Sequence, residues 1–225
     1  MPLSPAIVAI VAGNLIPLLG IAFWGWDAFI LLLLYWLETV TVAFWTLLRL
    51  LLMPSVDPDG VIRREFELRP ANIVMAGFFT LHAGGFIAGH LLFLWVLFSS
   101  DWWERISGPV SFFNEIVIGE GLWLPLVIMF AAGGWTMFFG AYEQRARPGR
   151  RAPSEKDGGV LGGIVMALYI RIVILHVAII FGAWGVDTIG NLAPLALVIL
   201  FKTYAEIYLG SSEPVRARMR AAVGR

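Results

Sequence analysis

Ala71–Phe98 reads ANIVMAGFFTLHAGGFIAGHLLFLWVLF and contains no Asp, Glu, Lys or Arg. A bilayer's hydrocarbon core is about 30 Å thick, and a helix needs roughly 20 mostly apolar residues to cross it. The stretch is long enough to span. It is also apolar on every face, which a surface helix of a soluble domain is not. Its reading sets the fold class: an all-α, polytopic transmembrane helical bundle. The same stretch carries His82 and His90, two polar groups where hydrocarbon would surround them.

Working outward, the pattern recurs. The 225 residues are 59% hydrophobic and only 14% charged, and the mean hydropathy is +0.81. Soluble domains lie near 45–50% apolar and about 25% charged, so the excess apolar surface must face lipid. Six spans are expected within one transmembrane domain covering 1–225: Ser4–Phe23, Ala28–Met53, Ala71–Phe98, Leu122–Tyr142, Gly159–Trp184 and Thr188–Gly210. Trp24-Gly25-Trp26-Asp27 separates the first two as a turn. Met1–Pro5 has no basic residue ahead of its apolar run, so the first stretch is expected to remain as a span and not to act as a secretory signal. The absence of cysteine removes disulfides, thiolate metal sites and cysteine nucleophiles.

Net charge is zero, which argues against nucleic-acid binding, but the charges are unevenly placed. Arg63, Arg64 and Arg69 follow the second span. Arg145, Arg147, Arg150, Arg151 and Lys156 lie in or beside the loop Gln144–Asp157, and Arg216, Arg218, Arg220 and Arg225 lie in the tail 211–225. The opposite loops hold Arg105 alone. Cytoplasmic loops collect Lys and Arg, so the basic side is inside. Six spans then place both termini in the cytoplasm of a bacterial-type inner membrane. The basic loops are expected to meet anionic lipid. Trp24, Trp26, Trp95, Trp102, Trp103, Trp123 and Trp184 gather near the outer ends, where tryptophan favours the headgroup level. Asp101–Gly121 is expected to lie along that surface as an interfacial segment.

Small residues at four-residue spacing (Gly85 and Gly89, Gly158 and Gly162, Gly159 and Gly163) read as close helix-packing stripes. The first of these lies beside the two histidines and also leaves room for a ligand. Pro17 and Pro194 are expected to bend their helices.

An ionisable group at the bilayer centre costs about 2.5–3.5 kcal/mol on insertion scales. This chain places Glu38, His82, His90, Arg171, His176, Lys202 and Glu206 inside spans, with Asn14 as a neutral companion. Counted at about 1.5 Å per residue from the outer ends, Asn14, Glu38, His90 and His176 share a layer roughly 12–15 Å deep. His82, Arg171 and Lys202 lie deeper, and Glu206 is one turn further on. Lys202 and Glu206 are four apart and can pair. Two imidazoles and a carboxylate form a known shell for Zn²⁺ or Fe²⁺, so Glu38, His90 and His176 are the candidate metal or ligand set, with Asn14 and His82 in support. Arg171, Lys202 and Glu206 form a buried charge network. Haem held by His90 and His176 meets the depth requirement but leaves Glu38 without a use.

Tyr35-Trp36-Leu37-Glu38, Leu81-His82 with His90, and Arg171 with Leu175-His176 together resemble an uncharacterised family of multi-pass bacterial membrane proteins. That resemblance implies a membrane location and a shared polar core, and no activity. Leu81-His82-Ala83-Gly84-Gly85 is also similar to the histidine-bearing helix of rhomboid proteases. Gly133-Gly134-Trp135-Thr136, however, has tryptophan where their nucleophilic serine would stand, so no catalytic residue carries over. Three function classes stay open: a protein binding a metal or small ligand at the polar site, a transporter or proton pathway using the same residues, and a structural or partner-binding membrane subunit.

Overall fold

A computed structural model of the chain describes residues 16–17, 19–52, 70–99, 101–138, 165–166, 168–177, 180–181 and 199–204. Regular structure among them is entirely helical. The chain divides into two units, Met1–Leu31 with Val177–Arg225, and Leu32–His176.

Helix α1 covers Ala28–Leu51 and α2 covers Pro70–Phe98. Both are long and apolar enough to cross a membrane, which makes this an integral membrane protein. A third candidate arises if Pro109–Gly119 and Trp123–Trp135, bent by 92°, count as one broken span. Helices α3, Trp123–Phe138, and α4, Leu168–Val177, are shorter. Two or three candidate spans are thus seen among the described residues, where six are expected of the whole chain. The expected first and sixth spans fall largely outside the described residues and the fifth is described in part; 19–23, 168–177 and 199–204 are helical.

The start of α1 follows from local chemistry. Gly25 takes φ 69°, a left-handed conformation that costs glycine little. Asp27 Oδ1 then accepts the Ile30 amide at 2.8 Å, capping the helix. The Trp26 ring lies so close over Gly20 that a Cβ there would overlap it.

Within Leu32–His176, three helices share a core of Leu50, Ala76, Phe79, Ala83, Leu168 and Ile172. The buried residues of α2 are Ala76, Phe79, Ala83, His90 and Leu94, one stripe at helical spacing. Its other faces expose Val74, Phe78, Leu81, Leu92 and Val96, as suits a helix bathed in lipid. Helix α1 is tied to α2 by Trp36 Nε1 donating to the Ile87 carbonyl at 2.8 Å. It meets α3 through Trp45, whose ring packs onto Phe130 at 4.9 Å and fills the space above Gly133 and Gly134. The hydroxyls of Thr39, Thr41 and Thr80 each donate to the carbonyl four residues back, at 2.8–2.9 Å. That removes donors hydrocarbon could not solvate.

Between α2 and α3 the chain makes a helical turn at Trp102–Arg105 and a π-helical segment at Phe112–Gly119. Trp95 meets Trp103 at 5.9 Å and Phe112 at 6.4 Å, so the segment folds back on the end of α2. Arg105 bonds Glu115 at 3.1 Å and stands 4.1 Å over the Trp102 ring. Gly121, at φ 75°, forms the elbow into α3.

Candidate functional site

Helix α4 presents two polar side chains five residues apart, Arg171 and His176. Five residues rotate a helix by about 140°, so the two cannot serve one neighbour. Arg171 Nη1 donates to Glu38 Oε1 of α1 at 2.7 Å. His176 turns to α2, where its Nδ1 lies 3.0 Å from His90 Nε2. The two imidazoles meet edge to face, with ring centroids 5.1 Å apart.

His90 is held from its other side. Its Nδ1 is 2.6 Å from the Phe86 carbonyl one turn earlier. A carbonyl only accepts, so Nδ1 carries the proton and donates. In neutral His90 this leaves Nε2 as a lone pair aimed at His176. His90 is 5% exposed and occupies a place on the buried stripe of α2 that its neighbours fill with Ala, Phe and Leu.

The pair forms one wall of a cavity of about 560 Å³, lined also by His82, Gly85, Gly89 and Phe93. A Cβ on Gly85 or Gly89 would meet no described atom within 4 Å. The Gly85–Gly89 stripe therefore opens space, and the close helix packing expected of it is absent among the described residues. Gly133 and Gly134 do the packing instead, against Trp45. His82 lines the same cavity, stacked on Phe78 at 5.5 Å with Tyr169 at 5.7 Å. It makes no hydrogen bond to Arg171.

Glu38, His90 and His176 do not close into one shell. Among the described residues no group of three or more His, Asp or Glu is placed to hold a metal ion. Equal depth of Cα atoms missed the reach of arginine. By residue count Arg171 starts deeper than Glu38, yet its long side chain takes the carboxylate at 2.7 Å. A charge-assisted bond of that kind is the strongest partner available to Glu38 in a low-dielectric layer. Asn14 and Glu206 lie outside the described residues, so the Lys202–Glu206 pair does too.

Haem between the two histidines is not accommodated in this arrangement. The two ring nitrogens lie 3.0 Å apart, which leaves no space for a macrocycle between them. Two neighbouring ligands of one tetrahedral zinc, each about 2.0–2.1 Å from it, stand about 3.3–3.4 Å apart. The observed 3.0 Å needs only a small opening to reach that.

Trp36 and the Phe86 carbonyl carry weight that the pattern of charged and histidine residues does not announce. An indole N–H within an apolar helix must find an acceptor, which marks Trp36 as bonded across a helix interface. The Phe86 carbonyl has no side-chain signature.

The chain belongs to DUF6498, a family of unknown function, whose model matches residues 1–222. Neither a curated protein nor a solved structure matches it.

Proposed function

We propose that this member of a family of unknown function is a six-span protein of a bacterial-type inner membrane that binds a small ligand at the His90–His176 pair. Both ends are cytoplasmic in this reading, and the basic loop 144–157 and tail 211–225 face anionic headgroups. The carrying observation is the 3.0 Å contact between His90 and His176 on the wall of the 560 Å³ cavity. Pockets for small ligands run from about 300 to 1,000 Å³, mostly apolar with a few placed polar groups. His90 is buried, whereas His176 is exposed and lines the cavity, where a ligand can reach it.

A proton pathway through the pair is a poorer fit. The chain of bonds ends on the Phe86 carbonyl, which cannot take a proton and pass it on. A metal reading is favoured by one feature. His90 donates Nδ1–H to a backbone carbonyl, the arrangement that orients a metal-binding imidazole and frees Nε2. With Glu38 engaged by Arg171, the remaining ligands would come from His82, solvent or the bound molecule.

Two measurements test this. A reporter active only in the periplasm, fused after Arg225, is expected to be silent; a strong signal inverts the topology. Purified protein titrated with Co²⁺ is expected to bind one equivalent with a four-coordinate visible spectrum if the pair chelates. His90→Ala would abolish that spectrum, and its persistence would remove the pair from the metal reading.

A further inference from the structure

We infer that the His90–His176 pair is a directional acceptor and that the cavity takes an amphiphile whose hydroxyl head donates a hydrogen bond to His176 Nε2. This rests on the ligand-binding reading above and gives it a substrate class.

The direction follows from the carbonyl at one end. His90 Nδ1 must donate to Phe86 O at 2.6 Å. A neutral imidazole has one N–H, so His90 Nε2 has none and can only accept. The atom 3.0 Å away is His176 Nδ1, which must then be the donor. That uses the single N–H of neutral His176, and its Nε2 becomes a lone pair. The peptide carbonyl thus sets the tautomer of a histidine on another helix, 86 residues further along the chain. No described residue bonds His176 Nε2, and His176 lines the cavity. The polar end of the site is therefore a base. It discriminates by sign, since a hydroxyl can donate to it while a ketone, ester or ether oxygen meets lone pair with lone pair.

The rest of the cavity fixes the body of the ligand. Phe86, Phe93, Ile172 and Val173 make its wall apolar, and Gly85 and Gly89 leave a shallow floor without side chains. His82 lies eight residues before His90, about 12 Å along the helix axis. An apolar body of that length below a hydroxyl head fits between the two. A head group that cannot donate forgoes this hydrogen bond beside an apolar wall, which sets the preference for a donor.

The test uses the full-length protein in detergent and two probes that partition alike, 4-hexylphenol and its methyl ether. The wild type is expected to bind the phenol about tenfold more tightly. The preference should vanish in His176→Phe, which keeps the ring and loses the nitrogen. A second pair, a linear alcohol and its methyl ether, tells an aliphatic body from an aromatic one; a tenfold preference in either pair supports the assignment. Two-bond nitrogen–proton correlation spectra of ¹⁵N-histidine protein provide a readout that needs no variant. His90 and His176 are both expected to carry the proton on Nδ1. An Nε2 proton on neutral His176, or equal binding of alcohol and ether in both pairs, overturns the inference while leaving the cavity a binding site. Failure of all four probes to bind overturns the ligand-binding reading with it.

Discussion

Arg171–Glu38 and His90–His176 are two polar crossings made by one helix, and they are built to opposite ends. In the first, opposite charges meet at 2.7 Å and each compensates the other. In the second, two imidazoles meet at 3.0 Å, and in the tautomers inferred above the chain of donors stays open at His176. The first has the form of a fastening. The second has the form of a fastening at His90 and a functional group at His176. A buried charge is dangerous when its partner is lost, whereas a neutral ring is merely unsatisfied. The contrast predicts where stability and binding separate.

The largest effect belongs to the ion pair. Arg171→Met removes the guanidinium that Glu38, whose side chain is 13% exposed, bonds at 2.7 Å. Breaking a buried pair from one side costs about 3–5 kcal/mol. The lower figure, about 3 kcal/mol, is expected because a third of the Arg171 side chain is exposed. Thermal unfolding in detergent, followed by size-exclusion chromatography, should show a sharp loss of folded protein. Adding Glu38→Gln should recover most of it. A double variant as unstable as the sum of the singles would mean that the two groups do not act as a pair.

The histidine crossing should respond differently. His176→Phe retains the ring volume and removes one neutral hydrogen bond, worth about 1 kcal/mol. Folded yield should fall only slightly, while the preference for a hydroxyl-bearing probe disappears. If His176→Phe proved as destabilising as Arg171→Met, the two crossings would be equivalent fastenings and the functional distinction would collapse.

The sequence made the membrane class and the polar set legible because both are properties of residue type against a hydrocarbon background. A run such as Ala71–Phe98 has no soluble explanation, and three histidines within spans stand out at once. Counting depth along the helices also put His90 and His176 in one layer, and the structure brings them into contact. What depth could not supply was rotation about each helix axis and the reach of side chains. Glu38 falls in the same layer by that count, but its carboxylate accepts from the Arg171 guanidinium and not from either histidine. The Phe86 carbonyl was illegible for a different reason. Every residue has one, and only the rotamer of His90 gives this one a role. Glycine spacing was ambiguous in the same way. Gly85–Gly89 reads as a small-residue contact, yet a Cβ there meets no described atom within 4 Å, while Gly133–Gly134, adjacent and without that spacing, has a tryptophan pressed against it.

That ambiguity gives the smallest and most selective effect. Gly89 is within α2, on the cavity side, where a Cβ meets no described atom within 4 Å. Glycine inside a helix is less favourable than alanine by about 0.8–1.0 kcal/mol. With no clash to offset that gain, Gly89→Ala should leave stability unchanged or raise it slightly, by less than about 1 kcal/mol. Gly133→Ala should destabilise, since its Cβ would overlap the indole of Trp45, a rigid ring wedged between α1 and α3. A bulkier Gly89→Leu tests the cavity itself. It should fill the floor beside His90, leaving the protein folded and the Arg171–Glu38 bond in place while excluding the alkyl body of the probe. Melting curves and probe titrations on the same preparations separate these outcomes. If Gly89→Ala behaved like Gly133→Ala, another part of the chain would be packed on that stripe, and the space beside the histidine pair would belong to a helix contact and not to a ligand.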